Sequence, residues 1–207
     1  MATKRKVGNL LGLAVLCYLL QRPMHPYELS RTLRDNDDVR SIRFTHGSLY
    51  MVVGQLERAG FITAQETSRD GARPERTVYA LSDAGRVEQR AWLRELVGDP
   101  KHEYPQFVTA LSLVSALPPD EVRTLLAQRL TRLAEQRVEI VDILDDATAR
   151  GIPGLFLVEE EYRLALLDAE VSFVESFADR ITDPHNDWGA LWAQFHASRP
   201  APGEGQS

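Results

Sequence analysis

The first stretch of hydrophobic positions along the chain is a dense apolar run from Leu10 to Leu20. Apolar residues occupy every side of this run when it is drawn as a helix, which predicts a helix over about 7–21 that ends before Pro23. A helix that is apolar all round must be covered on more than one face. We therefore expect a second domain or a second subunit to pack on this helix.

Basic residues precede the same run, so that it imitates a secretory signal peptide. Gln21, Arg22 and Pro23 follow it, where such a peptide would have a small-residue cleavage site. The run is also shorter than the stretch of about 20 apolar residues that a membrane span needs. We interpret the run as a buried helix and expect no membrane partner.

Two further helices are predicted between residues 26 and 59. The second begins at Pro26, because proline is tolerated in a first helical turn, and it ends before the polar loop 35–38. The third runs from about Thr45 to Ala59 and is followed by Gly60, a typical residue after a helix. Its apolar positions have the i, i+3, i+4, i+7 spacing of a helix packed on a core: Leu49, Val52, Val53 and Leu56. The opposite face consists of Gly47, Tyr50, Met51, Gly54 and Arg58.

A β-hairpin pattern follows the third helix. The strands are expected at 61–65 and 77–81, and the loop 68–74 between them is marked by glycine and proline. Ser82 can then cap a fourth helix that runs to about Val97. The order of three helices and a hairpin predicts a winged helix-turn-helix, in which the third helix is the recognition helix and the hairpin is the wing.

The second half of the chain is predicted to be helical. A short helix covers about 107–116, a long helix starts at Pro119, and a last long helix follows the break at 151–154. Two long amphipathic helices without a sheet need another apolar surface, most simply the same hairpin of a second subunit. The alternative is a monomeric helical domain that closes on the first helix. The predicted fold is thus mainly α with a small β-hairpin: an N-terminal winged helix-turn-helix DNA-binding domain (1–98), a C-terminal α-helical dimerisation domain (99–198) and a disordered tail (199–207).

The distribution of charge says more about partners than the total does. The chain has 24 Lys+Arg and 30 Asp+Glu, a net charge of −6 that by itself argues against nucleic acid. Residues 1–100 hold 15 Lys+Arg against 12 Asp+Glu, a net of +3, whereas residues 101–207 hold 9 against 18, a net of −9. This split indicates two modules with different partners. The single cysteine, Cys17, excludes a disulfide framework and favours a cytoplasmic location.

Few residues have the spacing that catalysis or metal binding requires. His102 and Glu103 begin an H-E-x-x-H pattern, but its last position is Gln106 and not histidine. The pattern therefore supplies too few ligands for a zinc site. Cys17 lies in the apolar helix without a nearby positive charge to lower its pKa. The acidic residues 145–146 and 159–161 are typical of solvated helix faces. We predict neither an enzyme nor a metal or other cofactor.

The start of the third helix is the main candidate for a binding site, because this end of a recognition helix lies closest to the major groove. Its polar residues are Arg43, Thr45, His46 and Ser48. Tyr50 points outward and can bond a phosphate, and Gly47 and Gly54 would let the backbone approach a duplex closely. The wing adds Arg69, Arg73 and Arg76, and Lys4, Arg5 and Lys6 form a basic arm. Acidic residues in the same region weaken the positive field: Glu57, Asp70 and Glu75.

Four segments of the N-terminal half occur in a specific order. They are His25–Leu29 (HPYEL), Gly47–Tyr50 (GSLY), Leu56–Ile62 (LERAGFI) and Tyr79–Gly85 (YALSDAG). In this combination they resemble the PadR family of bacterial transcriptional regulators. The resemblance covers about 10–96, and the segments 107–111 and 117–121 are similar to the helical C-terminal domain of the longer members.

The resemblance implies a homodimeric winged-helix repressor that binds a palindromic operator on double-stranded DNA and releases it when a small-molecule effector binds. It places the DNA contacts on Thr45, His46, Ser48, Tyr50 and the wing. The sequence departs from the family pattern at Pro26, where glycine is usual, and at Met51, where proline is usual. Tyr18 and Trp92 are the candidate effector-binding residues, and core packing is the alternative for both.

Two other classes of function are weighed against a DNA-binding regulator. A winged-helix protein-interaction module without DNA binding would use its acidic second half to dock a basic partner. An enzyme would need a nucleophile–base pair or a cluster of ligands, and the sequence offers neither. The regulator accounts for both the polar start of the third helix and the charge split.

Overall fold

The first three helices begin where a polar side chain can accept their free backbone N–H groups. The computed structural model describes residues 5–65, 77–185 and 187–197. Its first helices are α1 (Leu10–Gln21), α2 (Pro26–Asp35) and α3 (His46–Arg58). The Asn9 side chain accepts the N–H of Leu11 and starts α1. A capping box starts α2, because His25 Nδ1 accepts the N–H of Tyr27 and Glu28 accepts the N–H of His25, both at 3.0 Å.

The predicted hairpin and fourth helix follow α3. Strand β1 (Ile62–Gln65) pairs antiparallel with β2 (Val78–Leu81), with Ile62 opposite Leu81. Helix α4 (Asp83–Gly98) begins after Ser82, whose Oγ accepts the N–H of Gly85 at 3.0 Å. Met24 also pairs with Tyr79 on the other edge of β2, through two backbone hydrogen bonds of 3.0 Å. This additional bridge ties the α1–α2 connection to the hairpin, and the hydrophobic pattern did not predict it.

One apolar core joins α1, α2, α3 and the hairpin. Its members are buried on the faces that the helical and alternating spacings predict. The fully buried side chains include Leu11, Val15, Leu16, Leu29, Leu33, Leu49, Val52, Leu56 and Ile62. The order of elements and this core confirm the predicted winged helix-turn-helix.

Helix α1 differs from its prediction in where it starts. It starts at Leu10 and not at Val7, since Asn9 caps it, although Val7 is itself buried in the core. Its neighbours within this part of the chain are α3, α4 and β2. They leave Leu10 48% and Leu20 47% exposed, so that the helix is not covered on its whole circumference here. The expectation that a second domain or a second subunit packs on this helix stays a prediction.

We expect that replacing Gly85 by alanine lowers the free energy of unfolding by about 2 kcal/mol, because overpacking of a close contact costs about 1–3 kcal/mol. A Cβ at this position would overlap the carbonyl oxygen of Phe61 and press on the Leu81 side chain. Chemical denaturation monitored by circular dichroism measures the change. Gly98→Ala is the matched control, because nothing lies within 4 Å of a Cβ there. Equal stability of the two variants would contradict the close packing of α4 on Phe61 and Leu81.

Residues 103–207 form a second compact unit, separate from residues 1–102. It contains α5 (Gln106–Ser112), α6 (Pro119–Ala149) and α7 (Val158–Thr182), which confirms the two long predicted helices. A single turn, Val114–Ala116, lies between α5 and α6. The two long helices pack together over a shared apolar core: Val122, Leu126, Leu133, Ile140, Leu167, Val174, Phe177 and Ile181.

A further helix, α8 (Trp188–Ala197), was not predicted. It packs on α7, where the centroids of the Trp192 and Phe177 rings are 6.4 Å apart. The Nε1–H of Trp192 also donates a hydrogen bond to the Leu117 carbonyl at 2.9 Å. The predicted tail 199–207 lies outside the described residues. Among the helices that the structure describes, none has the length and apolar character to span a membrane.

Candidate nucleic-acid interface

A reciprocal capping box builds the start of α3. Thr45 Oγ1 accepts the N–H of Ser48 at 3.1 Å, and Ser48 Oγ accepts the N–H of Thr45 at 2.8 Å. The Ser48 hydroxyl also donates to the Thr45 carbonyl at 3.0 Å. These two side chains therefore hold the helix end in place. The capping box does not use the backbone N–H groups of His46 and Gly47. These two groups in the first turn can therefore donate hydrogen bonds to an anion.

The outward face of α3 is open to water. Thr45, His46 and Gly47 are exposed, as are Met51 and Tyr50, whose side chain is 49% exposed. The opposite face, which carries Leu49, Val52, Val53 and Leu56, is buried. The two faces predicted from the apolar spacing are thus confirmed. A helix with one buried and one open face can lie in a groove without disturbing its own core.

His46 lies where α3 meets α2. Its Nδ1 is 3.5 Å from the hydroxyl of Ser30, which is buried on α2. Arg43 precedes the helix and is exposed, whereas the neighbouring Phe44 packs against the core. The guanidinium of Arg34 lies 5.8 Å from the centre of the Phe44 ring. Arg34 thus shares this end of α3 with Arg43, and sequence analysis missed it because the residue belongs to a different helix.

Neither glycine of the outward face is required by packing against the residues that the structure describes. A Cβ on Gly47 would approach only Thr45 Oγ1, at 3.9 Å, and one on Gly54 only the Arg58 side chain, at 3.8 Å. Glycine within a helix costs about 1 kcal/mol relative to alanine. The described residues thus give no steric reason for glycine at position 54.

The basic arm predicted at the N-terminus is not free where the structure describes it. The Arg5 guanidinium forms ion pairs with Glu88 and Glu95 on α4 and lies 5.1 Å above the Trp92 ring. Two carboxylates thus compete with DNA for Arg5, and its use on DNA stays a prediction. Lys4 and the predicted wing residues lie outside the described residues: Arg69, Arg73 and Arg76.

The two predicted effector residues have separate surroundings. The Tyr18 hydroxyl donates to Asp38 and accepts from Asn36 Nδ2 at 2.8 Å. Burial, with Asp38 adding to it, raises the pKa of Tyr18 to about 12. Trp92 is buried on α4 beneath Arg5. The described partners of the two side chains lie on different parts of the fold, and the assignment of Tyr18 and Trp92 to an effector stays a prediction.

The residues that could support catalysis or metal binding are dispersed. Burial raises the pKa of the Cys17 thiol, whose sulfur accepts a hydrogen bond from Gln89 at 3.4 Å. Within residues 5–65, 77–185 and 187–197, no three His, Cys, Asp or Glu side chains are grouped as metal ligands. Glu160 is buried beside Arg163, at 3.3 Å.

Comparison with known proteins agrees with this geometry. Residues 15–91 match the model of the transcriptional regulator PadR-like family. A probable transcriptional regulator of Mycobacterium tuberculosis, Rv1176c, is 33% identical over 86 residues, which are 40% of this chain and 42% of that protein. The chain thus spans less than half the length of this curated relative.

Solved structures show a similar fold. Bacillus subtilis PadR in complex with operator DNA has a TM-score of 0.65 and 21% identity, over 82% of this chain and 98% of that one. The same protein in complex with p-coumaric acid has a TM-score of 0.65 and 20% identity, over 86% and 97% of the two chains. The similarity therefore extends beyond the winged helix into the C-terminal helices.

Proposed function

We propose, because residues 15–91 match the model of the PadR-like family of transcriptional regulators, that this chain is a DNA-binding repressor. In this proposal a homodimer binds a palindromic operator, and a small-molecule effector releases it. Each subunit places α3 in a major groove, and the two half-sites lie about 34 Å, one turn of the duplex, apart.

The open face of α3 carries this proposal. B-DNA admits one helix in its major groove, and the N-terminal end of the helix makes the closest contacts. His46 and Tyr50 lie exposed on that face, and the N–H groups of His46 and Gly47 are left by the capping box. We assign phosphate contacts to Arg43 and Tyr50 and a base-edge or phosphate contact to His46. Thr45 and Ser48, by contrast, hold the helix end.

The wing completes the proposed interface. Arg69, Arg73 and Arg76 follow β1 and precede β2, and so they belong to the loop of the hairpin. Arginines on a wing can bind phosphate or enter an adjacent minor groove. They also supply positive charge that Arg5, bound to Glu88 and Glu95, does not.

An exposed apolar stripe on α7 supports the dimer. Val158, Tyr162, Leu166 and Phe173 lie on one side of the helix, at spacings of four, eight and fifteen residues from the first. All four are exposed, with Tyr162 64% and Leu166 54% accessible. In a monomer this apolar stripe would be exposed to water. In a two-fold symmetric dimer, the stripe of each subunit would pack against the stripe of the other. We propose that α7 forms the subunit interface.

The proposed release by an effector has support from a protein of similar fold. Bacillus subtilis PadR has been crystallised in complex with p-coumaric acid as well as with operator DNA. At 20% and 21% identity the likeness concerns the fold, and so the nature of any effector of this chain is a separate question. The contacts of Tyr18 and Trp92 do not converge on one site.

Fluorescence anisotropy with DNA from the gene's own upstream region tests DNA binding. We expect affinity to fall by about 10³–10⁵ between 50 and 200 mM salt, as for a protein that neutralises about 6–10 phosphates. The measurement is repeated with Arg73→Ala, for which we expect a smaller salt slope, and with a scrambled duplex. Affinity that is weak and independent of salt would contradict the proposal.

A second candidate is a protein-interaction module without DNA binding. The net charge of −9 over residues 101–207 favours it, because an acidic surface attracts a basic partner. Co-purification of one stoichiometric protein partner, together with absence of salt-dependent DNA binding, would support this candidate against the first.

Replacing Gly54 by alanine separates stability from DNA binding. We expect a gain of about 1 kcal/mol in the free energy of unfolding, because alanine is the better helix former and its Cβ has space. We also expect operator affinity to fall about tenfold, since a methyl group would hold the helix away from the duplex. Urea denaturation and anisotropy measure the two effects. If Gly54→Ala is more stable but binds DNA with unchanged affinity, Gly54 is not part of the interface.

A further inference from the structure

The segment that connects α2 to α3 determines where the outward face of α3 lies, and we call residues 36–45 the α2–α3 turn. The structure describes all of these residues, and none of them is buried. Ile42 and Phe44 are partly buried and pack against the core. A segment with few buried apolar contacts opens locally at a low cost in free energy. Polar contacts from outside the α2–α3 turn therefore have a large share in holding its conformation.

Tyr18 of α1 makes such a contact. Its ring is partly buried and packs against the core. Its hydroxyl accepts a hydrogen bond from Asn36 Nδ2 at 2.8 Å and donates one to the Asp38 carboxylate. Because the pKa of Tyr18 is raised to about 12, this hydroxyl is protonated at neutral pH and remains a donor. One hydroxyl thus binds the α2–α3 turn at two points, and its bond to Asp38 is of the stronger, charge-assisted kind.

Asp38 connects this contact to the start of α3. Its backbone carbonyl accepts the N–H groups of Ser41 at 3.0 Å and of Ile42 at 2.8 Å. The chain then continues to Thr45, the first residue of the capping box at the start of α3. A side-chain contact that fixes Asp38 therefore also restrains the backbone that leads into α3.

We propose that Tyr18 is a positioning residue for DNA recognition: by binding Asn36 and Asp38, its hydroxyl holds the α2–α3 turn in the conformation that presents the outward face of α3. This inference rests on the proposed function, because it gives Tyr18 a part in operator binding without a contact to DNA. Only chains with a closed turn present α3 correctly, so that operator affinity scales with the closed fraction. In this role Tyr18 acts on DNA affinity in the absence of any effector.

Hydrogen exchange of the full chain, followed by mass spectrometry, tests the α2–α3 turn without DNA. Tyr18→Phe keeps the ring in the core and removes only the hydroxyl. We expect the backbone N–H groups of residues 36–45 to exchange about tenfold faster in this variant, because a hydrogen bond to a charged group is lost. Those of residues 49–56, in α3, should exchange as in the wild type. Unchanged exchange in the turn, or an equal increase in both segments, would overturn the proposal.

Tyr79→Phe is the matched control for the loss of a hydroxyl. Tyr79 is also partly buried against the same core, and its hydroxyl has no hydrogen-bond partner among the described residues. We expect this variant to exchange like the wild type in residues 36–45. A turn that opens equally in Tyr18→Phe and Tyr79→Phe would overturn the role of the Tyr18 hydroxyl.

Fluorescence anisotropy with DNA from the gene's own upstream region measures the consequence for binding. We expect Tyr18→Phe to lower operator affinity about fivefold, since the closed fraction falls, and Tyr79→Phe to leave it unchanged. If the turn of Tyr18→Phe exchanges faster but operator affinity equals that of the wild type, Tyr18 does not position α3 and the proposal is overturned.

Neighbouring aspartates separate the hydrogen bond from the charge. Asp38→Asn and Asp37→Asn remove the same charge, but Asp37 is exposed and its side chain does not cap the turn. Asparagine also tolerates the positive φ of 56° at position 37. We expect Asp38→Asn to bind operator about threefold more weakly than Asp37→Asn. The double variant Tyr18→Phe/Asp38→Asn should open the turn no further than Tyr18→Phe alone, and fully additive effects would overturn the proposal.

The outcome for Tyr18 can be separated from that for the repressor. If the wild type does not bind the DNA but the turn opens in Tyr18→Phe and not in Tyr79→Phe, the hold of Tyr18 on the turn stands and the repressor proposal fails. If the wild type binds the DNA and the turn of Tyr18→Phe exchanges no faster, the proposal for Tyr18 fails alone.

Discussion

Replacing Tyr50 by glutamate is expected to weaken operator binding by at least about a hundredfold, which corresponds to about 2.7 kcal/mol. Tyr50 stands on the exposed face of α3, half accessible to water, and the core on the other side of the helix does not depend on it. In a major groove its hydroxyl can donate to a phosphate oxygen. A carboxylate at the same place would lose that contact and would lie against phosphates of the same charge.

Fluorescence anisotropy measures this loss, and thermal unfolding checks that the fold is intact. Val87→Glu is the matched control, because Val87 is an exposed apolar residue on α4 and the change in net charge is the same. Tyr50→Phe should lose only the hydroxyl contact, worth about 1 kcal/mol, and should keep most of the affinity. If Val87→Glu and Tyr50→Glu lose operator affinity equally, the effect is due to the net charge of the chain, and Tyr50 is not part of the interface.

Replacing Leu166 by glutamate is expected to weaken the dimer by about a thousandfold, or about 4 kcal/mol, since a charge without a partner would be buried between two apolar faces. Leu166 stands in the middle of the exposed stripe on α7, between Tyr162 and Phe173. The monomer should fold as before, because Leu166 is not part of the core that α7 shares with α6. Operator affinity should fall with the dimer, since one subunit occupies only one half-site.

Sedimentation equilibrium over a range of concentrations measures the dissociation constant. Val138→Glu serves as the control, because Val138 is exposed and apolar on α6, outside the stripe. We expect this variant to remain a dimer. The stripe is not the dimer interface if the wild-type chain sediments as a monomer at all concentrations. The same conclusion follows if the Leu166→Glu variant dimerises like the wild type.

Much of the N-terminal unit could be predicted from the sequence, because its helices are specified by local signals. Thr45 and Ser48 mark the start of α3, the i, i+3, i+4, i+7 row from Leu49 to Leu56 marks its buried face, and Gly60 follows its end with a positive φ of 79°. Each of these signals acts within a few residues of the position it determines. Once the buried face of α3 is identified, its remaining positions give the face that is exposed to water.

Contacts between distant residues could not be predicted in this way. Arg5 was read as a free basic residue, yet its carboxylate partners are 83 and 90 positions away along the chain. The bridge between Met24 and Tyr79 and the packing of Gly85 on Phe61 likewise need two segments that only the folded chain brings together. Helix α8 was missed because a short apolar segment near the end of the chain has no strong periodicity of its own.

The sequence by itself determined the helices α1 to α4 and the two long helices α6 and α7, where α3 begins and which of its sides faces water, because caps and apolar spacing are properties of neighbouring residues. Only the tertiary structure decided which charges are already paired and which glycines have space beside them. Those properties depend on side chains from separate helices, whose distances are set by the packing of the core and not by their order along the chain.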